Sequence, residues 1–384
     1  MVRIHGSVAP GFEPVREAFE RNFTERGDVG AAVCCYRAGE PVVDLWGGLA
    51  SLHSGQEWRE DTLALLFSTT KGFTATCIHL LVERGELELD APVARYWPEF
   101  AANGKQRITL RDVLAHRAGI PIVEGEFTLE QVFAGTPVAD ALAGQAPLWE
   151  PGSQHGYHVR SFGWILAEIV RRVVGCSLGS FFAKEIAKPL NLDLSIGVPT
   201  SQHDRIAETL APPEPADPAQ REIRDKFMGP DTPLGRALTG PSGLLGYGSV
   251  WNSAALRQAE IPSSNAHGTA HSVARFYAAL VGEVDGCRLL APTTVERMRG
   301  EASNGPDGVI HIPTRFGLGV MLPATLSPEA AVGAFGHAGA GGSLGFADPE
   351  ARLGFGYAMN RMDMGLTGDP RASELVAAAY ACLR

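Results

Sequence analysis

The order in which strand-like and helix-like text follow one another constrains this chain more than any other feature. Near its start, an apolar run from Ala31 to Tyr36, a turn at Arg37–Pro41 and a second run from Val42 to Trp46, closed by Gly47 and Gly48, read as a β-hairpin. Strand character returns near the other end, at Phe316–Leu322, Ser343–Ala347 and Leu353–Asn360, with glycine-rich turns between. The text between them is helical: Phe67–Arg84, stopped by Gly85, then Leu110–His116, Ser161–Val174, Leu178–Ala187 and Thr269–Leu280. A last helix, Ser373–Leu383, closes the chain. Strands from the two ends satisfy their backbone groups by pairing with each other. This predicts an α+β fold in which one antiparallel sheet, built from both termini and flanked by helices, carries an inserted helical domain. The expected boundaries are a discontinuous sheet domain at 1–66 and 268–384, a helical domain at 67–200, and a connecting excursion at 201–267. Within that excursion Ala211–Pro241, with Pro212-Pro213-Glu214-Pro215, shows no clean period and reads as a long surface loop.

The 384 residues carry 33 basic and 43 acidic side chains, a formal charge of −10, which argues against a nucleic-acid partner. No apolar run approaches the roughly 20 residues that span a bilayer. The first ten residues also lack the apolar core of a signal peptide, so a cytoplasmic location without a membrane partner is expected. Cys34, Cys35, Cys77, Cys176, Cys287 and Cys382 show neither C-x-x-C nor a paired spacing, so free buried thiols rather than a zinc site or a disulfide framework are expected. Nothing in the sequence specifies an oligomeric state.

Ser68-Thr69-Thr70-Lys71 opens the first long helical pattern as S-x-x-K. A spacing of three puts the hydroxyl and the amine on one helix face. A serine hydroxyl attacks a carbonyl only when a base takes its proton. A lysine buried at a helix N-terminus has its charged form disfavoured by desolvation and by the dipole, which makes it such a base. Two further segments keep company with this pair. Pro151-Gly152 precedes Tyr157, and Gly336-His337-Ala338-Gly339 leads into small residues and a strand.

With Ser68-Thr69-Thr70-Lys71, the Leu114-Ala115-His116-Arg117-Ala118-Gly119 turn, Tyr157 behind Pro151-Gly152 and His337-x-Gly339 in this order, the chain resembles the serine β-lactamase and penicillin-recognising superfamily. Within it, the likeness is to the class C β-lactamase-like family VIII carboxylesterases. The resemblance implies the β-lactamase/transpeptidase-like fold and a serine hydrolase that cleaves short to medium acyl esters through an acyl-enzyme, without metal or cofactor. Carried over by position, Ser68 is the nucleophile, Lys71 and Tyr157 form the proton-transfer pair, and the backbone N–H groups of Ser68 and Ala340 form the oxyanion hole. His337, Gly339 and Val159 are expected in the substrate pocket, with the 201–267 excursion over the active site. Where β-lactamases have Y-x-N, this chain has Tyr157-His158-Val159. Where they have K-T-G, it has His337, largely neutral near pH 7. Both departures weaken recognition of a charged amide and favour an ester. The alternatives are a β-lactamase or D-amino-acid peptidase, an acyltransferase to an alcohol or amine, and a non-catalytic binding module of the same fold.

Other matches read differently. Gly341-Gly342-Ser343-Leu344-Gly345 fits G-x-S-x-G, but strand-like text follows and no histidine comes later, so Ser343 reads as a hairpin residue rather than a nucleophile elbow. His267 and His271 stand four apart without the glutamate of a metalloprotease helix and read as helix-start histidines near the site rim. His116 and His155 read as structural, hydrogen-bonding in turns.

Overall fold

The computed structural model describes residues 2–383. Its main sheet takes β1 (Ile4–Val8), β2 (Gly30–Arg37) and β3 (Glu40–Gly48) from one end of the chain, and β4 (Phe335–Ala338), β5 (Leu344–Asp348) and β6 (Leu353–Met359) from the other. The spatial order is β1-β3-β2-β6-β5-β4, antiparallel at every step, so the two ends join where β2 pairs with β6. Ala38 and Gly39, both at positive φ, make the two-residue turn that closes the hairpin of β2 and β3. This is the α+β architecture expected from the order of elements.

Helices cover both faces of the sheet. Along β2, Ala31, Val33 and Cys35 face the side where α1 (Glu13–Glu25) and α7 (Pro370–Ala381) bring Val15, Phe19, Leu375 and Val376. Ala32, Cys34 and Tyr36 face the other side, beneath α6 (Ala270–Val281). α6 lies close because β6 offers glycine there: a Cβ on Gly354 or Gly356 would stand 2.4 Å from a carbonyl oxygen of α6. Beyond α6 runs α2 (Thr70–Glu83), every residue of which from Thr70 to His79 is buried. Helix α3 (Ser161–Val174) packs beside it. A small sheet of Ala64–Leu65, Ala266–Gly268 and Leu194–Ile196 ties the start of α2 to a segment nearly two hundred residues away. No helix among the described residues is long and apolar enough to cross a membrane.

Two expectations about elements are corrected. Ala211–Pro241 is not a structureless excursion: it carries α4 (Pro218–Met228) and α5 (Pro233–Thr239). Pro218 and Pro233 follow the N-caps Asp217 and Thr232, so these prolines start helices at the one position where a missing N–H costs nothing. Phe316–Leu322 is not a strand. Pairing covers Pro313–Phe316, against Ser303–Pro306, and Gly317 and Gly319 then turn the chain so that Met321 makes an isolated bridge to Gly336.

Behind the turn that joins β4 to β5, Arg371 of α7 donates from Nη1 to Asp28 (3.0 Å) and from Nη2 to Asp369 (2.6 Å) and to the Gly341 carbonyl (2.6 Å). The Tyr357 hydroxyl donates to the other Asp28 oxygen at 2.7 Å. All four side chains are buried. Replacing Arg371→Met strands two buried carboxylates and is expected to cost about 3–5 kcal/mol of unfolding free energy. Urea denaturation checks this; an unchanged midpoint would contradict it.

Candidate active site

Ser68 sits on a tight helical turn, Phe67–Thr69, between the short strand Ala64–Leu65 and α2. Phe67 has φ of +40°, a conformation unfavourable for a residue with a side chain. Its ring is clamped edge-on by Trp251 (4.8 Å between centroids) and Tyr247 (5.6 Å), which hold the turn in place. From below, the Ser343 hydroxyl donates to the Leu66 carbonyl at 2.8 Å and lies 3.1 Å from Thr69 Oγ1. Ser343 is thus a buried support of the Ser68 turn, with strand β5 rather than a helix after it.

Lys71, on the first turn of α2, is wholly buried. Its Nζ lies 3.1 Å from Ser68 Oγ and donates to the carbonyls of Val159 (2.8 Å) and Ser263 (3.1 Å). A neutral amine has two N–H groups and one lone pair. The two carbonyls take the two hydrogens, which leaves the lone pair for the serine hydroxyl. Burial, and secondarily the positive charge of Arg160, hold its pKa well below the ordinary lysine value. Ser263 reaches Lys71 because α3 approaches closely at Gly163, where a Cβ would stand 2.4 Å from Ser263 N.

Tyr157 is brought in by a carboxylate: its backbone N–H donates to both oxygens of buried Asp307, at 3.1 and 3.0 Å. Asp307 also accepts from Val309 N, Ile310 N and the Thr314 hydroxyl, so one carboxylate organises the loop beneath the phenol. The ring stacks on Phe316 and meets His116 edge-on. Lys71 Nζ lies 4.8 Å from the ring centre. The Tyr157 hydroxyl is buried without a hydrogen-bond partner among the described residues. Burial raises its pKa above the usual phenol range, and the Ser68 side chain pulls it partly back. At neutral pH it is therefore a phenol rather than a phenolate.

A cavity of about 10 Å³, lined by Ser68, Tyr157, Val159 and Ala340 and roofed by Leu238, Tyr247 and Leu366, lies between these groups. Neither the Ser68 nor the Ala340 backbone N–H donates to an acceptor among the described residues. Of the residues expected in the substrate pocket, Val159 lines this cavity. His337 and Gly339 do not: Gly339 is packed against Ser343 and the Leu66 carbonyl, and His337 is buried behind Tyr157, stacked on its ring at 6.0 Å. Burial and the proximity of Lys71 lower the His337 pKa to about 3, so it is neutral.

The remaining histidines separate. His116 Nδ1 accepts from His158 N, and His155 pairs with Thr314. His267 and His271 do not share a helix: His267 is in the strand Ala266–Gly268 and His271 is on α6, against Tyr36 and Asp44, so neither stands at the rim of this cavity. Sequence reading missed Arg160, Ser263 and Asp307. Ser263 acts through a carbonyl, which no motif records. Arg160, just ahead of the apolar run Phe162–Leu166, was visible as a charge that points to burial with a partner, whereas Asp307 lies in the turn text Asn304-Gly305-Pro306-Asp307-Gly308 and gave no such signal.

The family model described as Beta-lactamase matches residues 18–379. The chain belongs to the beta-lactamase family. It is 36% identical over 372 residues to Esterase/beta-lactamase LipL of Mycobacterium tuberculosis, covering 94% of this chain and 83% of that one. A solved family VIII carboxylesterase superposes with a TM-score of 0.89 at 38% identity, covering 99% of this chain and all (100%) of that one. A penicillin-binding protein homologue from Caulobacter crescentus superposes at 0.87 with 36% identity, covering 99% of this chain and 100% of that one. The β-lactamase fold implied by the motifs is therefore the fold of this chain.

Because the Arg160 charge helps to lower the Lys71 pKa, Arg160→Gln is expected to raise it. The acid limb of the pH–rate profile for fluorophosphonate labelling of Ser68 should then move to higher pH. A limb that stays in place would show that Arg160 does not tune the amine.

Proposed function

We propose that this chain is a carboxylic-ester hydrolase that works through an acyl-enzyme on Ser68. The observation that carries this reading is the buried Lys71 amine, whose two hydrogens are held by carbonyls while its third neighbour is Ser68 Oγ. Ser68 Oγ attacks the ester carbonyl as its proton passes to Lys71 Nζ. The N–H groups of Ser68 and Ala340 take the oxyanion, an interaction worth about 3 kcal/mol per donor. The leaving alkoxide receives the proton through the Tyr157 phenol. Water enters by the reverse path, losing its proton through Tyr157 to Lys71, and releases the acid.

An ester is favoured over a charged amide by the two replacements near the site. Val159 offers no side-chain amide, and the neutral, buried His337 offers no cation to a substrate carboxylate. The name of the family VIII carboxylesterase neighbour agrees with this choice, and that of LipL covers both activities. The small cavity favours short acyl groups, with Leu238 of α5 as a wall.

Ser68→Ala should lower p-nitrophenyl acetate hydrolysis by about a thousandfold or more, measured as kcat/KM. Ser343→Ala, which removes a support of the Ser68 turn but no reacting group, should remain active with a far smaller loss of turnover than Ser68→Ala and lose about 1 kcal/mol of stability with its hydrogen bonds. Persistent hydrolysis in the first variant, or its abolition in a folded second variant, would transfer the assignment elsewhere. Leu238→Ala should raise kcat/KM for hexanoate relative to acetate; an unchanged ratio across the p-nitrophenyl ester series would remove Leu238 from the acyl wall. Nitrocefin turnover matching that of the esters would instead favour the lactamase reading.

A further inference from the structure

A second group of reactive side chains lies outside the Ser68 cavity, on the sheet face beneath α6. Cys34 of β2 and Asp44 of β3 are direct cross-strand partners, and His271 comes down onto them from the first turn of α6. His271 Nδ1 lies 2.6 Å from Asp44 Oδ2 and 4.0 Å from Cys34 Sγ. The three potential ligand atoms all lie within 4.8 Å of one another. We propose that Cys34, Asp44 and His271 form a binding site for a thiophilic divalent cation, zinc or a close analogue.

Zinc bonds of about 2.0–2.3 Å in a tetrahedral arrangement place neighbouring N, O and S ligands roughly 3.3–3.6 Å apart. Reaching that spacing requires the histidine–carboxylate contact to open by under about 1 Å, and the sulfur to close by about half an ångström on the histidine and by up to about 1.2 Å on the carboxylate, through side-chain rotations. The ligand set is suitable as well. Thiolate and carboxylate together balance the charge of a divalent ion, and the sulfur selects zinc over magnesium or calcium. The far side of the imidazole is already oriented: His271 Nε2 lies 2.9 Å from the Tyr36 hydroxyl, which in turn accepts from Arg275 at 3.4 Å. Metal-bound histidines are commonly held in this way through their second nitrogen. Arg275 is itself drawn off toward the Leu190 carbonyl and Asp285.

Among the described residues the one polar side chain within hydrogen-bonding reach of Cys34 Sγ is His271, whose nitrogen Asp44 engages at far shorter range. Cys34 itself is buried, but the side chains of His271 and Asp44 are 37% and 23% exposed, which gives an ion a route from solvent and leaves a fourth position for water. Binding would release the thiol proton to solvent, and His271 would bind as a neutral imidazole through the Nδ1 lone pair with its ring hydrogen on Nε2, facing Tyr36.

The test is titration of the chelator-treated, full-length protein with Co²⁺, followed in the near-ultraviolet and visible. One equivalent should bind, with a thiolate-to-cobalt charge-transfer band that Zn²⁺ abolishes by displacement. Cys34→Ser should lose the band, His271→Ala should lose saturable binding, and Tyr36→Phe should keep the band with about tenfold weaker affinity. The wild-type result is decisive without any variant: no saturable binding, or binding without the band, overturns the site. A band that survives in folded Cys34→Ser overturns it too. Hydrolysis by the Ser68 machinery is a separate readout, so this site and the esterase reading stand or fall independently.

Discussion

An amine sealed from water with two carbonyls and one hydroxyl around it is the constraint on which the functional architecture rests. Taking Lys71 out of water disfavours its charge, and Arg160 adds to that cost. The carbonyls of Val159 and Ser263 compensate the N–H groups in either protonation state. A proton can thus be gained or lost without rearrangement of the surrounding groups, which is what a general base beside a nucleophile requires.

That arrangement joins three distant stretches of chain. Ser68 and Lys71 come from the turn and first coil of α2, Val159 from the stretch leading into α3, and Ser263 from the segment that enters the small sheet. Ala340, proposed as the second oxyanion donor, comes from the turn between β4 and β5, held from behind by Arg371 at Gly341. Supports of the site are thus parts of the sheet and its helices, so stability and site geometry depend on the same contacts. Asp307 does for Tyr157 what Ser343 does for Ser68: each is a buried polar group whose bonds end on the backbone beneath a reactive side chain.

Much of this was legible in the sequence where local pattern carries the signal. The hairpin of β2 and β3, the buried helix α2 and the strands β5 and β6 follow from alternation, apolar runs and glycine stops. Errors arose where one residue type serves opposite ends of an element. Prolines read as breakers in the 211–241 stretch are helix starters, because Asp217 and Thr232 cap the turns ahead of them. The apolar text at 316–322 suggested a strand, yet its glycines turn the backbone away from pairing after Phe316.

By itself the sequence determined the class of fold, the serine–lysine pair, and its association with Tyr157 and the His337 triplet. Those features depend on short spacings and on residue chemistry. Tertiary structure decided the rest. It withdrew His337 and Gly339 from the cavity, supplied the Ser263 carbonyl and the Arg160 charge, and gathered Cys34, Asp44 and His271 into one cluster although no spacing relates them. The physical reason is that desolvation and backbone carbonyls act through space: they belong to the packed chain and leave no mark in the order of its side chains.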